Sequence, residues 1–107
     1  MRLRTCHLRR LPVGAKTYHG ILTGDGRVGI AVAALGLEVS AGNEVDALDL
    51  LAEMVYSSYD GDPYELDVTT AWHGGSRVTL MVTPRTASAR WWLAARERDA
   101  ARFIDAT

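Results

Sequence analysis

"YELDVTTAWHGGSRVTLMVT", residues 64–83, reads as two strands around a glycine-rich turn and allows a test of register. A two-residue Gly74-Gly75 turn would set Trp72 against Arg77 and Val68 against Met81, mixing apolar with polar partners. A three-residue loop, Gly74 to Ser76, aligns Trp72 with Val78, Thr70 with Leu80 and Val68 with Val82. The opposite face then pairs His73 with Arg77, Asp67 with Thr83 and Glu65 with Arg85. A one-residue slip turns every side chain to the other face, so pairing follows the register with one continuous apolar side. The three-residue loop satisfies that rule.

Upstream, "KTYHGILTGDGRVGIAVAAL", residues 16–35, reads as a second hairpin. Asp25-Gly26 suits the positive φ angles of a two-residue type I′ turn. With Gly24 opposite Arg27, Ile21 faces Ile30 and His19 faces Val32. Leu22, Gly20 and Tyr18 then pair with Gly29, Ala31 and Ala33, small residues that imply a close approach on that side.

Between the hairpins, "GNEVDALDLLAEMVYSSYDGDP", residues 42–63, predicts a helix capped by Asn43 and closed by Gly61 and Pro63. Its expected core face is Val45, Leu48, Leu51, Ala52, Val55 and Tyr59. Asp46, Asp49, Glu53 and Ser57 form a stripe opposite. A last helix follows Pro84, capped by Thr86 or Ser88 and containing "SARWWLAARERDAARF", residues 88–103. Ala89, Trp92, Leu93, Ala100, Phe103 and Ile104 recur at three- and four-residue spacing on its apolar side. Trp91 falls on the far side with Ala94, Ala95, Arg98 and Arg102. Neighbouring helical residues point about 100° apart, so one core does not take both rings. Arg96 lies within the apolar side and is expected to snorkel or meet an acid.

The order hairpin, helix, hairpin, helix predicts an α+β two-layer sandwich, ββαββα. Its antiparallel sheet has four to five strands, the fifth coming from the N-terminal segment, and carries two helices on one face. One domain accounts for all 107 residues.

Charge comes in blocks. Residues 1–27 carry +5, residues 28–76 carry −9 with no Lys or Arg, and residues 77–107 carry +3, for a net −1. Such blocks mark binding faces, or bring basic ends back beside an acidic middle. The basic N-terminus "MRLRTCHLRR" is followed by no apolar run of signal-peptide type. The longest apolar stretch, Val28 to Leu37, is too short to cross a bilayer. Cys6 is the only cysteine. No internal disulfide is expected, and a reducing, cytoplasmic setting follows.

Motifs of chemistry are scarce. "GDGRVG", residues 24–29, matches G-x-G-x-x-G, but a strand follows it where the dinucleotide fingerprint needs a helix. Asp60, Asp62, Glu65 and Asp67 cluster without EF-hand spacing, and the histidines at 7, 19 and 73 lack zinc-ligand spacing. No catalytic residue, metal or cofactor is expected.

Residues 27–55, "RVGIAVAALGLEVSAGNEVDALDLLAEMV", resemble the strand, glycine turn and "EAL" helix of HicB-type antitoxin domains. Asp46-Ala47-Leu48 stands for "EAL", the connector is one residue short, and Gly36-Leu37 replaces the expected Pro-Gly. The resemblance covers about a quarter of the chain. Any strand, turn and amphipathic helix shares it.

Two function classes fit these observations. One is a small non-catalytic protein-binding module of inhibitor, antitoxin, immunity or phage anti-defence type. It would contact a protein partner, or a second copy in a homodimer, through Trp91, Arg98 and Arg102 and through Asp46, Asp49 and Glu53. The other is a nucleic-acid binder using Arg2, Arg4, Arg9, Arg10 and the C-terminal arginines. The slightly acidic net charge and the lack of a reading motif rank it second.

Overall fold

A computed structural model describes residues 14–24 and 26–106. Five strands form one antiparallel sheet: β1 (Lys16–Gly24), β2 (Val28–Val32), β3 (Leu37–Ala41), β4 (Leu66–Trp72) and β5 (Arg77–Pro84). Their spatial order is β3-β2-β1-β5-β4. Helix α1 (Glu44–Ser58) joins β3 to β4, and helix α2 (Ala87–Ala106) follows β5. The class is α+β, as the sequence predicts, but the chain order is βββαββα. The expectation of a strand from the N-terminal segment falls outside the described residues.

The fifth strand among the described residues is β3. Its "LEVSA" alternates apolar and polar residues, with Leu37, Val39 and Ala41 buried and Glu38 and Ser40 exposed. A short 3-10 turn, Ala33–Leu35, ends β2, and Gly36 at φ 65° reverses the chain into β3. That left-handed angle favours glycine.

The β4–β5 register is the one derived above: Trp72 opposite Val78, Thr70 opposite Leu80, Val68 opposite Val82. The β1–β2 register differs from expectation by one residue. Gly24 pairs with Val28, not Arg27, and Leu22 with Ile30. The connection therefore has three residues, like the other hairpin. This places Tyr18, Gly20 and Leu22 on the same side as Ile30 and Val32, and it turns Ile21 outward, 61% exposed. The released Arg27 reaches β3, where its Nε donates to Ser40 Oγ at 3.1 Å. Gly20 suits the crowded inner side, because a Cβ there would lie 3.1 Å from Val32 Cγ2 and 3.2 Å from the Ala31 carbonyl oxygen.

One core collects the inner face of the sheet and both helices. α1 touches both edge strands, β3 and β4, so the sheet curls around it. Asn43 caps α1 as expected, accepting from the Asp46 N–H at 2.9 Å. The buried side of α1 is Ala47, Leu51 and Val55, with Leu48 partly buried, whereas Val45 is 67% exposed. The core face is thus rotated from Val45 towards Ala47.

Leu51→Ala should lower unfolding free energy by about 2–5 kcal/mol, and Val45→Ala should change it by less than about 0.5 kcal/mol. Urea denaturation of both variants checks this rotation of the helix.

Candidate functional site

Where α1 ends and α2 begins, four side chains meet. Tyr59 follows α1, and its ring packs edge-on against Trp92 of α2, centroids 5.1 Å apart at 63°. The Tyr59 hydroxyl donates to Glu65 Oε1. Thr86 Oγ1 donates to the same carboxylate oxygen at 2.8 Å and accepts from the Ala89 N–H, so it is the N-cap of α2. Ala89, Leu93 and Ala100 are buried, and Trp92 is partly buried against the core. Further along, Glu97 of α2 accepts from Tyr18 Oη at 2.8 Å and from Lys16 Nζ at 3.1 Å on β1. Burial, reinforced by Glu97, pushes the Tyr18 phenol far above its ordinary range. Arg96 meets a backbone acceptor rather than an acid: its Nη2 donates to the Leu35 carbonyl oxygen at 3.2 Å.

These contacts fix which side of α2 faces outward. Trp91 is 76% exposed. It lines a shallow groove with Arg90, Ala94 and Arg98. Arg102 is exposed a further turn along the same side. The structure therefore brings together Trp91, Arg98 and Arg102, and adds Arg90, which the helical wheel had not singled out. Asp46, Asp49 and Glu53 lie together on the outer face of α1, all exposed. Among the described residues none of the three forms a salt bridge.

The carboxylate cluster is dispersed by local duties. Asp62 caps a 3-10 turn by accepting from the Tyr64 N–H at 2.9 Å. Asp67 pairs with Arg85, and Glu65 serves Tyr59 and Thr86. No group of three or more metal-ligating side chains occurs among the described residues. His19 and His73 are not scattered in space, since both line one groove on the outer face of the sheet. Sequence spacing carries no trace of that meeting, because antiparallel pairing of separate hairpins creates it. No helix of the described residues is long and apolar enough to cross a membrane.

No family model, curated protein or solved structure matches the chain. The resemblance of residues 27–55 thus carries no assignment, and the site's own geometry bears the functional argument.

The Tyr59 hydroxyl bond, with help from Thr86, holds the Glu65 carboxyl below the ordinary glutamate range. A lowered folded pKa contributes stability above the unfolded value, and that contribution is lost as pH falls towards the folded value. Wild-type stability should therefore decline as pH drops below the usual glutamate range, and Glu65→Gln should flatten this decline. Thermal melts from neutral to acid pH measure the difference; parallel curves would contradict it.

Proposed function

We propose that this protein is a non-catalytic module that binds a protein partner through the outward side of α2, with Trp91 at its centre. The observation that carries the reading is the exposure of the Trp91 ring on a helix whose opposite side buries Ala89, Leu93 and Ala100. An indole rimmed by Arg90 and Arg98 supplies the residue types that dominate binding energy at protein interfaces. A partner with an apolar pocket bordered by carboxylates fits this side. The outer face of α1, with Asp46, Asp49 and Glu53, is a second surface, suited to a basic partner and to fast, salt-sensitive association. A protein of this kind acts by occupying its partner's surface, as an inhibitor or antitoxin does.

Position 91 can carry the photoreactive residue p-benzoyl-phenylalanine in cells of the native host. Irradiation should yield a polypeptide adduct that survives nuclease, while the same residue at Glu38, on the outer face of the sheet, yields none. A nuclease-sensitive adduct would favour the nucleic-acid reading. The absence of any adduct at position 91 would reject a contact role for Trp91.

A further inference from the structure

The outer face of the sheet, turned away from the core, has a groove of about 450 Å³ near the hairpin tips. Strands β1 and β5 and the turn between β4 and β5 build it. His19 on β1 lies directly opposite Thr79 on β5, and Ile21 lies opposite Arg77. Side chains so paired have Cβ atoms about 5 Å apart. His73, just past β4, is placed by two bonds: its backbone N–H donates to the Arg77 carbonyl oxygen at 2.8 Å, and its Nε2 lies 2.9 Å from Thr79 Oγ1. The loop is tied to β1 by the Leu22 N–H, which donates to the Ser76 carbonyl oxygen at 2.8 Å.

We propose that this groove binds a phosphate group carried by an organic ligand, with Arg77 as its ion-pairing residue. Arg77, the two histidines His19 and His73, and the hydroxyl-bearing Ser76 and Thr79 line one groove, and no carboxylate lines it. A guanidinium fork matches the oxygens of a phosphate, and His19 and Ser76 add donors beside the bonded His73–Thr79 pair. Among the described residues Arg77 forms no salt bridge. In its row across the sheet the carboxylate is Glu38 on β3, with Ala31 and Ile21 between them. Three strand spacings separate the two, about 14 Å. The exposed Ile21 beside Arg77 offers apolar surface to the organic part of the ligand. Because His19, Arg77 and Thr79 stand on hydrogen-bonded strands and His73 is held by two bonds, the site is preformed rather than assembled on binding.

The test is a ¹H–¹⁵N correlation titration of the full chain with inorganic phosphate. Saturable shifts should concentrate at Ile21, His73, Ser76, Arg77 and Thr79. Arg77→Ala should weaken binding at least about tenfold, the loss expected for one charged hydrogen bond. The double variant His19→Gln with His73→Gln should weaken it as well, and unchanged melting temperatures would show that the variants fold. A nucleoside monophosphate and a single-stranded oligonucleotide then identify the source. Displacement of phosphate by the monophosphate alone points to a small ligand, and displacement by the oligonucleotide points to a nucleic-acid backbone. Three results would each overturn the proposal: no saturable shift, shifts centred on Arg90 and Arg98, or phosphate affinity unchanged in Arg77→Ala.

Discussion

The contact of Tyr59 with Trp92, locked by the shared carboxylate of Glu65, sets the relation between the two helices. It ties the end of α1 to the start of β4 and to the cap of α2. Without it α2 would be held chiefly by Ala89 and Leu93, by the 3-10 turn Ala33–Leu35 to which Arg96 donates, and by the Glu97 contacts with β1. The junction also settles the direction of two adjacent tryptophans. Once Trp92 is turned towards Tyr59, helical geometry sends Trp91 the other way.

This constraint explains how so small a domain leaves large side chains outside without losing its core. α1 occupies the space between the curled sheet's edges, which uses its Ala47, Leu51 and Val55 side and frees the acidic side. α2 spends Ala89, Leu93 and Ala100 on packing and frees a tryptophan among arginines. Among the described residues the acidic stripe and the exposed arginines beside Trp91 thus lie on different helices, α1 and α2. Among the described residues the salt bridges lie elsewhere, at Lys16–Glu97 and Arg85–Asp67.

Legibility in the sequence followed the clarity of the apolar pattern. The register of β4 and β5 was readable because only one alignment gathers Val68, Val78, Leu80 and Val82 on a single side. The first hairpin was not, since Ile21 and Ile30 suggest a pairing that the fold refuses, and Gly20 hides its role under Val32. β3 carries a period-two alternation in "LEVSA", but it is only five residues long and lies between Gly36 and Gly42. The burial of Ala47 is not legible in the helical spacing, whose expected core face begins at Val45. The outward placement of Trp91 and Arg98 is legible from helical spacing alone. The meeting of His19, His73 and Arg77 was not, because it depends on β1 pairing with β5 across the middle of the sheet.

The division of labour between the two tryptophans is the central claim, and the unfolding free energies of Trp91→Ala and Trp92→Ala test it directly. Trp92→Ala should lose about 3–5 kcal/mol, a large share of the 5–15 kcal/mol typical of a domain. Trp91→Ala should stay within about 0.5 kcal/mol of the wild type, as exposed positions do. Comparable losses in the two variants would put both rings in the core and contradict the account.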